Sequence, residues 1–204
     1  MKFVTMVKNY WVFNIKPDGC YRSCLVAKGF SQVKGIDFDE LFSPVVCYET
    51  IQLLFAVAAL EDWDIQSVDV KTAYLYGDLD KKIYMEQPEG FRLPGKKNKV
   101  WQLHKALYGL KQASLSWWCT ITKSMLALGF KRCKSDASVY YYHDKKTGAL
   151  VIAIVYVDDV CFMDTRGSLL PKELKQEFMA RWECCDLGET TEFLGIQISH
   201  DHKS

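Results

Sequence analysis

The sequence predicts an α+β fold. Segments rich in β-branched and aromatic residues are joined by short turn signals, as antiparallel strands are. Segments with helical apolar spacing fall between them without a regular strand–helix–strand rhythm. A third observation sets the scale: 204 residues, 49% of them hydrophobic, suffice to bury a core for one domain or one and a half.

In chain order, residues 10–16 and 21–30 are strand-like, and Pro17-Asp18-Gly19 between them predicts a hairpin. Past Pro44 a helix is expected to start near Glu49 or Thr50, with Leu53, Leu54, Val57 and Leu60 at helical spacing. Residues 64–79 begin as a strand and break at Gly77. Residues 81–91 read as a strand stopped by Pro88 and Gly90, and 96–99 as an exposed loop. Residues 100–130 contain a long amphipathic helix that ends at Gly129. Strands are expected within 138–164, around the turn Asp144-Lys145-Lys146-Thr147-Gly148. A helix follows over 168–182, with Pro171 tolerated in its first turn, and a last strand runs from Thr191 to the chain end.

The charge is balanced, 26 basic against 25 acidic residues, so the chain as a whole is not a polycation. Nucleic acid would have to meet local basic stretches such as Lys96-Lys97-Asn98-Lys99, Lys131-Arg132 or Lys81-Lys82, each of which by itself reads as a solvated face. Eight cysteines do not make a disulfide scaffold here. The start reads as strand and turn rather than signal peptide, Cys20 and Cys24 lack a second Cys/His pair at zinc spacing, and Cys184 and Cys185 are adjacent. Reduced, mostly buried thiols are expected. His104, His143, His200 and His202 carry no chemistry in this reading, and Glu177, Glu183 and Glu189 are helix-surface charges. No apolar run reaches the roughly 18 residues of a membrane span, so a soluble chain is expected.

The stretch that carries chemistry is ALVIAIVYVDDVCFMD, residues 149–164. Val-Asp-Asp-Val alone is an ordinary turn. Its flanks, however, are apolar enough to be buried on both faces, and two like charges beside a low-dielectric core need a positive partner. A divalent cation serves, and hard oxygen donors favour magnesium or manganese. A further carboxylate should come from a neighbouring strand, and Asp69, at the end of a Val-rich segment, is the candidate. One Asp on one strand and a pair on a hairpin is what a two-metal phosphoryl-transfer site needs.

Tyr156-Val157-Asp158-Asp159 resembles the signature hairpin of reverse transcriptases. SVDVKTAYLYGDLDKKIYMEQPEGF, LHKALYGLKQASLSWW and LVAKGFSQVKGIDFDELFSPVV resemble the polymerase blocks of copia-type retrotransposons, so that the similarity runs from about Trp11 to Ile198. The resemblance implies an antiparallel palm sheet with helices on one side, plus fingers, with the thumb missing. Fingers would take about 1–64 and 80–110, palm about 65–79 and 111–198. It implies RNA-directed DNA synthesis from deoxynucleoside triphosphates on a primed RNA or DNA template, with two Mg2+ or Mn2+ ions.

Asp69, Asp158 and Asp159 match the family's metal-binding aspartates, and Val70 would add a backbone carbonyl. Tyr74 stands where similar enzymes carry an aromatic that clashes with a ribose 2′-hydroxyl. Gln112 matches a glutamine that touches the incoming nucleotide. Arg22 and Lys28 lie on the fingers hairpin, where cations hold the triphosphate, and Lys111 and Lys105 are further phosphate candidates. The resemblance also implies a cytoplasmic, particle-borne location, no membrane, and other Pol or Gag proteins as partners.

The chain departs from that family in several places. Cys24, Cys47, Gln52 and Leu115 stand where copia-type relatives usually carry arginine, with Gln102 and Cys119 in the same set, and Asp164 stands where glycine is usual. Each lost guanidinium removes a fixed cation facing phosphate. Arg to Cys and Arg to Gln are what cytosine deamination makes of CGN codons, although Leu115 needs a different change. With the stop after FLGIQIS, where similar proteins continue into a thumb and later an RNase H domain, this motivates an alternative: a truncated, catalytically silent remnant that at most binds nucleic acid or partner proteins.

Overall fold

The computed structural model describes residues 6–15, 19–165 and 169–199 and has the expected α+β composition. The strands are β1 (Met6–Val7), β2 (Asn9–Ile15), β3 (Tyr21–Ala27), β4 (Trp63–Val70), β5 (Asp78–Glu86), β6 (Val100–Lys105), β7 (Lys131–Arg132), β8 (Val139–His143), β9 (Leu150–Tyr156), β10 (Asp159–Thr165), β11 (Cys184–Glu189), β12 (Glu192–Phe193) and β13 (Ile196–Gln197). The helices are α1 (Tyr48–Leu60), α2 (Ala113–Ala127) and α3 (Leu170–Arg181). The chain divides into two compact units, the first made of Met1–Ser43 and Tyr74–Thr120, the second of Pro44–Ala73 and Ile121–Ser204.

In the first unit β5 pairs with β6 antiparallel and with β1 parallel, while β2 and β3 form a separate hairpin in the register Ile15↔Tyr21. Pro17 and Asp18 of the expected turn lie outside the described residues. The second strand stops at Ala27 instead of running to Phe30, because Gly29–Ser31 coil into a 3-10 turn. Val7, Ala27, Ile83, Ala106 and Leu110 make the core. A strand at 100–105 was not expected; it is an edge strand with polar residues at alternate positions, and only its pairing with β5 marks it.

The second unit is built on a six-stranded antiparallel sheet in the order β11-β4-β10-β9-β8-β7. Opposed residues share a face. One face carries Trp63, Ile65, Cys161, Met163, Ile154 and Val139, packed with Ile51 and Ala58 of α1 and with Phe193. The other carries Phe162, whose ring meets Phe178 of α3 edge-on at 5.6 Å. Helices therefore cover both faces, not one. Phe162 alternates with Cys161 and Met163, so β10 is apolar on both sides and needs cover on both.

α1 starts at Tyr48, close to the expected point, but its buried face runs through Ile51 and Ala58 while Leu53 and Leu60 stay exposed. Pro171 sits in the first turn of α3 as expected. The expected last strand is instead the short hairpin β12–β13. Glu183 and Glu189 are not on a helix: Glu183 precedes β11 and Glu189 ends it. Of the eight cysteines only Cys161 is buried, which overturns the expectation of mostly buried thiols.

Candidate active site

The catalytic candidates meet through strand pairing in the second unit. β9 and β10 pair Tyr156 with Asp159, which leaves Val157 and Asp158 as a two-residue turn. Tight hairpins of that length use positive φ at their first central residue. Val157 has φ 52°, a strained setting for a β-branched side chain. The turn is held by β4 as well, since the Val70 N–H donates to the Asp158 carbonyl at 2.7 Å.

Asp69 lies directly opposite Asp159 across β4 and β10, and Cys185 lies opposite Asp69 on β11. The row Cys185–Asp69–Asp159–Tyr156 thus crosses four strands on one face, with Asp158 next to it on the turn. The aspartate that is far away in sequence faces the doublet.

Burial raises the Asp159 carboxyl above its ordinary range, and the neighbouring Asp69 and Asp158 charges raise it further. Burial, then Asp69 and Cys185, push the Cys184 thiol to about 11, against the pull of Lys71. Like charges crowded in this way are what a cation relieves, and carboxylate oxygens are hard donors of the kind magnesium or manganese takes. Among the described residues no three His, Cys, Asp or Glu side chains converge closely enough to hold a metal as they stand. The convergence is that of the backbone register.

The nucleotide-binding candidates belong to the first unit. Arg22 is exposed on β3 opposite Asn14. Lys28 is half-buried, its ammonium 5.6 Å from the centre of the Tyr10 ring, and it lines a cleft of about 740 Å³ together with Trp11, Phe13, Phe91 and Arg92. Tyr74, on the 3-10 turn Ala73–Tyr76, is half-buried with its ring 4.6 Å from that of Tyr108. Lys105 is paired with Asp78 and also donates to the Tyr76 carbonyl.

Gln112 is buried, and its amide is engaged on both sides. Its oxygen accepts from Gln32 Nε2 at 3.0 Å and its Nε2 donates to the Asp37 carbonyl at 3.0 Å. The Lys111 N–H donates to Gln32 Oε1 at 2.8 Å and its ammonium to the Gln32 carbonyl at 3.2 Å, over the Phe38 ring. Of the departures from the family, Cys24 and Leu115 are half-buried, while Cys47, Gln52, Gln102 and Cys119 are exposed.

Sequence reading singles out neither Gln32 and Asp37, which hold Gln112, nor Tyr108, and it takes Glu183, which pairs with Lys71 at 2.9 Å, for a helix-surface charge. These partners are separated by 34 to 112 positions, and no local spacing announces such contacts. His200 and His202 lie outside the described residues. Among the described residues no helix is long and apolar enough to cross a membrane.

Residues 2–204 match the family model described as reverse transcriptase (RNA-dependent DNA polymerase). The chain is 41% identical over 97% of its length to the retrovirus-related Pol polyprotein from transposon TNT 1-94 of Nicotiana tabacum, of which it covers 15%. It is 38% and 34% identical over 95% of its length to the Pol polyproteins from transposons RE1 and RE2 of Arabidopsis thaliana, covering 13% and 14% of them. The chain therefore spans about one-seventh of the length of these relatives.

Proposed function

We propose a function from one premise: the chain belongs to the reverse transcriptase (RNA-dependent DNA polymerase) family, in its copia-type Pol polyprotein branch. It acts as an RNA-directed DNA polymerase portion that extends a primer 3′-end with deoxynucleotides on an RNA or DNA template. In this reading about 1–64 and 80–110 serve as fingers and about 65–79 and 111–198 as palm. The observation that carries the reading is the register that sets Asp159 opposite Asp69 while Val70 bonds to Asp158.

In this reading Asp69, Asp158, Asp159 and the Val70 carbonyl hold two magnesium or manganese ions. Such ions, when bound, neutralise charge on the attacking and leaving oxygens of an in-line displacement. The carboxylates orient that charge from rigid strands, and the two bonded strand ends keep them in place. Arg22 and Lys28 bind the triphosphate, with Lys111 a further cation for phosphate. Tyr74 excludes a 2′-hydroxyl. Gln112, with its amide anchored to Gln32 and Asp37, shapes the nucleotide pocket. Other Pol or Gag proteins and a cytoplasmic particle are the setting this reading implies.

Primer extension on a primed RNA template with magnesium tests the reading. Incorporation that disappears in Asp158→Asn supports it. No incorporation, with template binding retained, would favour a silent remnant in which the lost arginines at Cys24, Cys47, Gln52 and Leu115 have removed too much phosphate contact.

A further inference from the structure

We propose that Tyr108 is a positioning residue for sugar selection: its ring braces the ring of Tyr74 and thereby keeps ribonucleotides out. The inference rests on the reading of Tyr74 as the residue that meets the sugar. A side chain can exclude a hydroxyl by bulk only if it cannot swing aside. A half-buried tyrosine on a single 3-10 turn has two rotatable bonds with which to do so.

The structure removes that freedom in two steps. The backbone beneath Tyr74 is pinned first. The Gly77 N–H donates to the Tyr74 carbonyl at 3.0 Å, and the Ala106 N–H donates to the Gly77 carbonyl at 2.8 Å. Gly77 packs so closely on α2 that a Cβ there would lie 2.9 Å from Ser116 Cβ and from the Trp117 nitrogen.

The backbone beneath Tyr108 is pinned as well. The Ala27 N–H donates to the Tyr108 carbonyl at 2.8 Å, and Gly109, at φ 90°, has no room for a Cβ, which would stand 2.1 Å from the Ala27 carbonyl. With both main-chain stems fixed, the rings meet at 4.6 Å with their planes inclined at 48°. That separation lies at the close end of the range for favourable aromatic pairs. The ring pair then sets the Tyr74 side-chain angle.

The test is single-nucleotide primer extension, comparing kcat/KM for a deoxynucleotide and for the matching ribonucleotide. Tyr74→Val collapses the ratio. Tyr108→Leu, which keeps apolar bulk without a ring, lowers it by about two- to tenfold, the factor an aromatic pair supplies. The change comes from better ribonucleotide use, and Tyr108→Phe restores the ratio. A collapse in Tyr74→Val with no change in Tyr108→Leu overturns the inference and leaves the reading of Tyr74 intact. No change in Tyr74→Val overturns both.

A second measurement needs no catalysis. With 3-fluorotyrosine at position 74, the fluorine resonance of a folded Tyr108→Leu protein should shift and narrow as the ring gains freedom. An unchanged resonance overturns the brace whether or not the protein polymerises.

Discussion

Strands β4 and β10 set aspartates opposite one another twice, Asp69 against Asp159 at the hairpin end and Asp64 against Asp164 at the other. Asp159 and Asp164 are five residues apart, so the two pairs fall on opposite faces of the sheet. In each pair burial comes first among the causes that raise a carboxyl, and the facing aspartate follows. The remaining causes differ. At Asp159 the third is another negative charge, Asp158, whereas at Asp164 the Lys172 ammonium opposes the rise. Asp164 is 4% exposed and its carboxyl is pushed up to about 7.

Like charges in one sheet thus have two remedies. At the far end burial raises the Asp164 carboxyl and the nearby Lys172 charge opposes the rise. At the tip the third carboxylate adds to the rise, and under the proposed function a divalent cation relieves it. Under the proposed function, the third carboxylate, supplied by the turn, is what distinguishes the metal site from the other opposed pair.

The largest effect that could break this comparison is on activity. Asp69→Asn or Asp158→Asn should lower primer extension by about 10³-fold or more, since several kcal/mol of charge stabilisation is lost. Asp164→Asn should stay within about threefold of the starting rate. An equal loss at both ends would erase the distinction.

Next comes pH. The folded-state pKa of Asp164 lies above its ordinary 3.8, at about 7, so between those values the folded chain binds a proton that the unfolded chain releases. The stability this contributes is full below about pH 4 and is lost as pH rises toward about 7. A loss of about 1–3 kcal/mol is expected in denaturant melts across that window. Asp164→Asn should flatten the slope; an unchanged slope contradicts the assignment to this pair.

Magnesium should act on the other pair. Millimolar Mg2+ should raise the melting temperature by about 2–5 °C through binding to the folded state alone. Asp69→Asn should abolish the rise and Asp164→Asn should keep it. The smallest effect concerns the turn that presents Asp158. Val157→Gly removes a side chain from a left-handed position but loosens the unfolded chain, and a gain of at most about 1 kcal/mol in a urea melt is expected. Clear destabilisation would show that Val157 packing, rather than turn geometry, holds the hairpin.

Local signals made much of this legible. The turn of the Val157–Asp158 hairpin, the start of α1 near Glu49 and Pro171 in α3 are each written within a few residues. So is the choice of Asp69, because a carboxylate closing a Val-rich strand is unusual enough to ask for a reason. What stayed illegible depends on partners far along the chain. β11 shows no clean alternation and exists by pairing with β4, and β6 is an edge strand marked only by its pairing with β5. Leu53 and Leu60 satisfy helical spacing yet remain exposed, because Ile51 and Ala58 already face the sheet. Gln32 reaches Gln112 across 80 positions, and Lys175 is buried against Gln66 across 109, contacts that no window of sequence contains.

The central claim is that Asp69 and the Asp158-Asp159 doublet form one cation site. Calorimetric titration with Mn2+ tests it without requiring catalysis. Binding should be present in the unmodified chain and in Asp164→Asn, and lost in both Asp69→Asn and Asp158→Asn. Manganese binding that survives Asp69→Asn at unchanged affinity would contradict it.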